Sequence, residues 1–178
     1  MCLARLTPHI VSSFNFNSAQ SAYRTNHSTE TALLKVTDDL YRIMDQSSAA
    51  VLIALDLSAA FDTIEHRRLI DRLQNEFGVA GVALEFIRSY LSGRTQCIGV
   101  GGDISTIRAC STGIPQGSVF GPFLFSIYTS PIGDVVASHD VMQHQYADDA
   151  NMYAALKSKD DNITIDRIES CATGVMQR

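Results

Sequence analysis

Two adjacent carboxylates lie in the stretch Gln143-His144-Gln145-Tyr146-Ala147-Asp148-Asp149-Ala150-Asn151-Met152-Tyr153. Short runs with strand character stand on both sides of the pair, and Asp and Asn tolerate the geometry of tight turns. We therefore expect a β-hairpin with Asp148 and Asp149 at or near its bend. Because two neighbouring anions repel, a fold retains them at low cost only at the surface or around a cation. A solvated turn is the more common outcome for such a pair, so the choice depends on the rest of the chain.

The bulk composition is that of one globular domain with a hydrophobic core. The chain has 178 residues, of which 46% are hydrophobic and 19% are charged. No apolar run approaches the roughly 20 residues that cross a bilayer, and the N-terminus lacks the pattern of a signal peptide. The four cysteines are scattered and form no C-x-x-C motif, which favours a reducing compartment. We therefore expect an intracellular protein, cytoplasmic or nuclear, without a membrane partner.

The net charge of −5 is unlike the basic surface that many nucleic-acid-binding proteins carry. The charge is also uneven along the chain. Residues 101–150 contain one basic residue, Arg108, and five acidic residues, among them Asp148 and Asp149. A local excess of carboxylates is typical of a site that binds a divalent metal ion.

The first half of the chain predicts an irregular lead-in, a helix and a strand. Residues 1–26 are rich in Ser and Asn, and Ser28 is suited to cap a helix that follows it. The continuous aliphatic run 50–57 predicts a strand buried on both faces, and Asp56 near its end is either a helix N-cap or a ligand. The helix after Ser28 carries an apolar stripe at spacings of three and four, made of Leu33, Val36, Leu40, Ile43 and Met44.

The second half predicts further helices and two hairpins. One helix has an apolar face and ends near Gly78, another covers about 82–91, and a hairpin turns at Gly101-Gly102-Asp103. A Gly/Pro loop at 113–118 then opens an apolar helix, and most such loops are structural, although their backbone N–H groups can also bind phosphate. The fold class is therefore α+β. The last amphipathic segment has its apolar positions at Ile163, Ile168, Cys171 and Val175.

The carboxylates suggest a reaction class if the hairpin pairs beside the 50–57 strand. In that arrangement Asp56, Asp148 and Asp149 converge, and three hard oxygen donors suit Mg²⁺. Two such ions about 3.5–4 Å apart can activate a hydroxyl group and neutralise a transferring phosphate. The sequence therefore favours phosphoryl or nucleotidyl transfer.

From about Phe16 to Tyr153 the sequence resembles the reverse transcriptase domain of a non-LTR (LINE-type) retrotransposon. Each motif is weak alone, but all of them occur in the expected order. The motifs are Gln20-Ser21-Ala22-Tyr23-Arg24 with His27-Ser28-Thr29-Glu30-Thr31; Leu55-Asp56-Leu57-Ser58-Ala59-Ala60-Phe61-Asp62-Thr63-Ile64-Glu65-His66; Ser89-Tyr90-Leu91-Ser92-Gly93-Arg94-Thr95-Gln96; Gly113-Ile114-Pro115-Gln116-Gly117-Ser118 with Gly121-Pro122; and Tyr146-Ala147-Asp148-Asp149.

The resemblance implies a metal site. Asp56 and Asp148 correspond to the two principal metal ligands of the family, and Asp149 corresponds to the accessory carboxylate. The backbone carbonyl of Leu57 would complete the coordination shell. The ion implied is Mg²⁺, with Mn²⁺ as a substitute.

The resemblance also implies substrate contacts. Phe61 corresponds to the steric gate, where an apolar ring leaves no room for a 2′-hydroxyl and so selects deoxynucleotides. Gln116 corresponds to the residue that lies against the incoming nucleotide, and Gly117 would let the backbone approach that nucleotide closely. Arg24 corresponds to the arginine that clamps the triphosphate. Tyr146 corresponds to a residue near the primer end, or it only supports the hairpin.

The implied fold is a polymerase palm, an antiparallel sheet packed on helices, with partial fingers. Residues 1–48 would be partial fingers and 49–178 mostly palm, with a fingers insertion at about 66–112. The implied partners are an RNA template, a DNA primer and a dNTP. Because the family continues beyond Arg178 into a lysine motif and a thumb, the chain resembles a fragment. The alternatives are an inactive remnant that binds nucleic acid or protein, and a palm polymerase that makes RNA, against which Phe61 argues.

Overall fold

The computed structural model describes residues 2–47, 49–57, 59–156 and 161–176. Within these ranges each helix is too short or too polar to cross a lipid bilayer. Helices and antiparallel strands are mixed along the chain, so the predicted α+β class is confirmed. The elements are α1 (Cys2–Val11), α2 (Thr29–Gln46), β1 (Ala49–Asp56), α3 (His66–Asn75), α4 (Gly81–Leu91), β2 (Thr95–Gln96), β3 (Gly99–Val100), β4 (Asp103–Ile104), β5 (Arg108–Ala109), α5 (Gly121–Thr129), α6 (Ile132–Ser138), β6 (Met142–Tyr146), β7 (Asp149–Leu156) and α7 (Asp161–Met176).

The chain divides into two compact units. The first contains Met1–Ser13 and Ala59–Tyr128, and the second contains Phe14–Ser58 and Thr129–Arg178. The predicted helices α3 and α4 belong to the first unit, and Gly78 follows α3 with a φ of 64°, as expected for a helix stop. Apolar side chains on one face of each helix are buried, including Leu69, Ile70, Leu73, Leu84, Ile87 and Leu91.

Helix α1 corrects the prediction that residues 1–26 are irregular. Leu6 and Ile10 recur at helical spacing and are buried, Ile10 completely. The helix is also tied to the rest of its unit, because Nε2 of His9 donates to the carbonyl of Phe77 over 2.7 Å. Pro8 lies inside the helix, where it removes one backbone donor, and the prediction of an irregular segment rested on the Ser- and Asn-rich residues that follow.

The predicted hairpin around Gly101-Gly102 is present but interrupted. Strand β2 pairs with β5, and β3 pairs with β4, both antiparallel. Asp103 was predicted in the turn but begins the second arm of the hairpin, because Val100 pairs directly with it. Both glycines have positive φ, the conformation that a tight hairpin turn requires.

The second unit is built on a three-stranded antiparallel sheet in the order β1-β7-β6. Side chains of β7 alternate between two layers of helices. Tyr153 bonds to a side chain of α2, whereas Met152 and Ala154 join an apolar cluster on the opposite face. That cluster comes from α6, β7 and α7 with their connections, and its buried members are Ile132, Val135, Val136, Val141, Met152, Ala154, Ile168, Cys171 and Val175.

Strand β1 is not buried on both faces, which corrects the prediction from its aliphatic run. Among the strands of the described residues it pairs with β7 alone, so it lies at an edge of the sheet. Val51, Ile53 and Leu55 pack against the apolar cluster, whereas Leu52 on the other face is 41% exposed. Partly buried and exposed side chains therefore alternate toward the end of the strand, and Asp56 is the last residue on the exposed face.

Helix α2 begins as predicted, with Ser28 as its N-cap. Its buried face is rotated from the predicted stripe, since Leu33 is exposed and Asp39 is buried. The Asp39 carboxylate accepts hydrogen bonds from the Tyr153 hydroxyl (2.5 Å) and the Lys35 ammonium (2.5 Å). Burial opposes ionisation of Asp39, but these hydrogen bonds together with the positive charges of Lys35 and Arg42 outweigh burial and lower the pKa of the carboxyl.

The substitution Tyr153→Phe is expected to lower the free energy of unfolding by about 1.5–3 kcal/mol at pH 7, since it removes a hydrogen bond to a buried charge. Because the pKa of Asp39 is lowered in the folded state, the stability that its ionisation supplies is present above the unfolded pKa of about 3.9 and is lost in acid. The difference between parent and variant should therefore shrink below about pH 4. Urea denaturation of parent and variant at pH 7 and at a pH below about 4 measures this difference, and the exposed Tyr41→Phe is the control. An equal loss in the two variants would contradict the assigned bond.

Candidate active site

The predicted hairpin is formed by β6 and β7, and its bend is the pair Ala147 and Asp148. Tyr146 and Asp149 are the last residues that pair across the two strands. Ala147 has a φ of 55°, so it adopts a left-handed conformation that is uncommon for a residue other than glycine. Asp148 is half-buried and Asp149 is exposed. The two carboxylates thus lie at and immediately after the turn.

Strand β1 runs antiparallel beside β7 and brings Asp56 directly opposite Asp149. Side chains of directly opposed residues lie on the same face, with Cβ atoms about 4.5–5.5 Å apart. Asp148 is tied to the same strand end, because its carbonyl accepts the backbone N–H of Leu57 over 3.3 Å. The structure therefore brings together the three carboxylates and Leu57 at one end of the sheet.

The donor chemistry of this cluster fits a divalent cation. Like charges on opposed strands destabilise a sheet, and hard carboxylate oxygens are the ligands that Mg²⁺ and Ca²⁺ prefer. As the side chains are placed in the described ranges, no group of three or more His, Cys, Asp and Glu side chains is arranged to hold a metal ion. The backbone arrangement thus fits a cation, whereas the side chains are not closed into a ligand set.

Tyr23 is a member of the site that the sequence interpretation missed. Burial raises the pKa of its hydroxyl, and the nearby charges of Asp148 and Tyr146 raise it further. Tyr146 itself is half-buried at the end of β6. Tyr23 stands beside Arg24 in the first motif, and that position was the only sequence signal for it.

Arg24 belongs to the same unit as the carboxylates and is bound to its own segment. One guanidinium nitrogen donates to the carbonyls of Ser18 (3.3 Å) and Gln20 (3.1 Å). The guanidinium carbon lies 5.8 Å from the centroid of the Phe16 ring. These contacts organise the segment before α2, and a clamp on a triphosphate remains a prediction.

Phe61, Gln116 and Gly117 belong to the first unit, and the three carboxylates belong to the second. Phe61 is half-buried and stacks on Phe125, with ring centroids 4.9 Å apart.

The loop before α5 is a tight turn. The N–H of Ser118 donates to the carbonyl of Pro115 over 3.2 Å, and Gly117 has a φ of 76°, the value that a type II turn requires at its third residue. Gln116 is exposed and lines a cavity of about 590 Å³ together with Asp62 and Arg94.

His66 holds this loop to the start of α3 and was not predicted as a site residue. Its Nε2 donates to the carbonyl of Gly113 over 2.7 Å. Two backbone hydrogen bonds add to this contact, from Gly113 N–H to the carbonyl of Ile64 and from Ile114 N–H to the carbonyl of Phe61, each 2.8 Å long. The motif around Phe61 and the Gly/Pro loop are therefore one packed structure.

Comparisons with known proteins indicate the same family as the motifs and their order. The sequence pattern of the reverse transcriptase (RNA-dependent DNA polymerase) family matches residues 1–175. The RNA-directed DNA polymerase from mobile element jockey of Drosophila melanogaster is 32% identical over 145 residues, which is 78% of this chain and 16% of that protein. The probable RNA-directed DNA polymerase from transposon BS of the same species is 29% identical over 73% of this chain and 15% of its own length. The chain thus spans about a sixth of the length of these relatives.

A solved structure shows the same fold. Apo telomerase from Candida tropicalis superposes with a TM-score of 0.62 at 16% identity, over 97% of this chain and 35% of that chain. The predicted palm-type α+β fold is therefore confirmed. The resemblance to non-LTR retrotransposon sequences is confirmed as well. Because the sequence pattern matches residues 1–175, nearly the whole chain, the chain belongs to the reverse transcriptase (RNA-dependent DNA polymerase) family.

Proposed function

We propose that this chain carries the polymerase site of a retrotransposon reverse transcriptase, which extends a DNA primer on an RNA template. The observation that carries the proposal is the cluster of Asp56, Asp148 and Asp149 at one end of the antiparallel sheet. Repulsion between these carboxylates destabilises the fold, and a function in binding a cation explains why they nevertheless lie together. Family membership and the presence of all three carboxylates favour this function over a non-catalytic binding module.

In the proposed reaction the 3′-hydroxyl of the primer attacks the α-phosphate of a dNTP, and the bond to pyrophosphate breaks. Asp56 and Asp148 would hold divalent cations, for which we propose Mg²⁺, with Asp149 and the Leu57 carbonyl beside them. Divalent cations held there would supply charge that lowers the pKa of the attacking hydroxyl and offsets the charge on the phosphates. The register that the turn and the paired strands give these carboxylates supports the proposed site.

The remaining residues are proposed to select and orient the nucleotide. Phe61 would exclude a 2′-hydroxyl by contact with an apolar ring that offers it no hydrogen bond. Gln116 and Gly117 would lie along the incoming nucleotide, and Arg24 would bind its phosphates after leaving its present carbonyl partners. Tyr146 would contact the primer end.

Primer extension on a defined RNA template tests the proposal. With Mg²⁺ and all four dNTPs the purified chain should lengthen a labelled DNA primer, and EDTA should stop the reaction. Omission of one dNTP should halt the product at the first template position that requires it. Addition of nucleotides without regard to the template would contradict the proposed function.

The substitution Phe61→Val is expected to increase the use of ribonucleotides relative to deoxynucleotides by on the order of 10- to 100-fold, because it opens space for the 2′-hydroxyl. The measurement is the ratio of kcat/KM for one rNTP to that for the matching dNTP. Phe86→Val is the control, since Phe86 is 47% exposed on α4. A ratio that stays unchanged in the Phe61 variant, or rises equally in the control, would remove Phe61 from this role.

A further inference from the structure

The side-chain amide of Gln20 is hydrogen-bonded to the turn that contains Asp148. Gln20 is completely buried. Its Oε1 accepts the backbone N–H groups of Ala22 and Ala147, each over 3.0 Å, and its Nε2 donates to the carbonyl of Ala147 over 3.0 Å. One buried side chain therefore binds both polar backbone groups of Ala147.

Ala147 is the residue of the hairpin that needs such support. Its φ of 55° is positive and that of Asp148 is not, which is the pattern of a type II′ turn. Glycine is favoured at the first position of that turn, and a residue with a Cβ adopts it only at a cost. The hydrogen bonds from Gln20 offset this cost and hold Ala147 in the conformation.

The segment that carries Gln20 is itself fixed to the hairpin. Gln20 forms a parallel bridge with Gln145 in β6. The N–H of Ser21 donates to the carbonyl of Gln145, and the N–H of Gln145 donates to the carbonyl of Ala19, each over 2.9 Å. Gln20 therefore reaches the turn from a segment that lies in register with the hairpin.

The turn is held from two sides. Gln20 binds Ala147 on the β6 side, and the N–H of Leu57 in the segment after β1 binds the carbonyl of Asp148. If the hold on Ala147 were lost, the turn could relax toward a conformation without positive φ, and the carboxylates at and after it would move. The spacing between Asp149 and Asp56 would then no longer be set by the register of the strands.

We propose that Gln20 is a positioning residue that fixes the Ala147–Asp148 turn and thereby holds Asp148 and Asp149 opposite Asp56 for a divalent cation. The hold on the turn stands on the hydrogen bonds alone, whereas the effect on cation binding and polymerisation rests on the proposed function. Gln20 touches neither substrate nor cation in this role. It acts through the backbone of Ala147.

The substitution Gln20→Leu tests the hold on the turn. It should lower the protection of the Ala147 amide against hydrogen exchange, measured by NMR, by about tenfold, which is the effect of losing one hydrogen bond. Asn17→Leu is the matched control, because Asn17 is a buried amide in the same segment whose hydrogen bonds join it to Gln145, Gln143 and Ala19 rather than to Ala147. Unchanged protection of Ala147 in Gln20→Leu, or an equal loss in Asn17→Leu, would overturn the proposal.

Affinity for Mn²⁺, measured by electron paramagnetic resonance, is the second measurement. It should fall at least several-fold in Gln20→Leu and stay near the parent value in Asn17→Leu. Equal affinity in parent and Gln20→Leu would overturn the role in cation binding. A folded parent that binds Mn²⁺ but extends no primer would refute the proposed function and leave the role of Gln20 to be decided by these two measurements.

The substitution Gln20→Glu keeps the length of the side chain, and this variant tests the role of Gln20 if Gln20→Leu does not fold. An ionised carboxylate accepts the two N–H groups but cannot donate to the carbonyl of Ala147, whereas a protonated carboxyl can. At pH 8, where a carboxyl with the ordinary pKa of Glu is ionised, extension by this variant should therefore be several-fold slower than extension by the parent. Extension at the parent rate would contradict the donor role of Gln20.

Discussion

The substitution Asp148→Asn is expected to reduce RNA-templated primer extension by about 10³-fold or more. Charge neutralisation by metal ions supplies several kcal/mol of transition-state stabilisation, and each 1.36 kcal/mol is a factor of ten in rate. Asn retains the size of Asp but is neutral, so the variant keeps the turn and loses an anionic ligand. The measurement is the single-turnover rate of extension at saturating Mg²⁺ and dNTP.

The control for this prediction is Asp45→Asn, which changes an exposed carboxylate at the end of α2 in the same unit. It should extend the primer at the parent rate. Thermal unfolding gives a readout that does not depend on activity. Mg²⁺ should raise the Tm of the parent and of Asp45→Asn, and raise that of Asp148→Asn much less, because a ligand stabilises only the state that binds it. Parent-like extension by Asp148→Asn would exclude Asp148 as a ligand required for the reaction.

The substitution Ile168→Ala is expected to lower the free energy of unfolding by about 2–5 kcal/mol. Ile168 on α7 is completely buried in the apolar cluster against β7 and α6. Its truncation removes buried methyl groups and leaves a cavity that close-packed neighbours fill only in part. Urea denaturation of the purified chain measures the loss.

The matched control lies on the same helix. Ile163 was predicted on the same apolar stripe as Ile168, but it is 66% exposed. The substitution Ile163→Ala should therefore change the free energy of unfolding by about 0.5 kcal/mol or less. Equal losses in the two variants would mean that α7 does not pack as described.

The hairpin and the strand that ends at Asp56 were each predictable from local sequence, because strand-forming residues stand on both sides of the two-carboxylate turn and an aliphatic run precedes Asp56. That the two pair with each other was only a condition in the sequence interpretation, since the paired residues are about a hundred positions apart. Helix α2 was predictable because Ser28 begins it with a clear capping signal. The hairpin, the strand and the start of α2 each depend on residues close in sequence, so they can be predicted from the local residue pattern.

Features that depend on distant partners were not predictable in the same way. Asp39 interrupts the apolar pattern of α2, and its burial is satisfied by Tyr153, more than a hundred residues away. The contact of Gln20 with Ala147 spans a similar separation, and a lone Gln in a polar segment carries no signal of burial. Helix α1 was missed because the Ser- and Asn-rich residues that follow it decided the prediction for residues 1–26, although Leu6 and Ile10 recur at helical spacing.

The dependence of RNA-templated primer extension on Mg²⁺, measured for the parent and for Asp56→Asn, tests the proposed function most directly. Asp56 lies opposite Asp149 on the edge strand and supplies a carboxylate from outside the hairpin. The parent should show saturable, Mg²⁺-dependent extension, and the variant should remain at least about 10³-fold slower at every Mg²⁺ concentration. Equal extension by the two proteins, or a folded parent that extends no primer at any Mg²⁺ concentration, would contradict the proposal that this carboxylate cluster supports DNA synthesis.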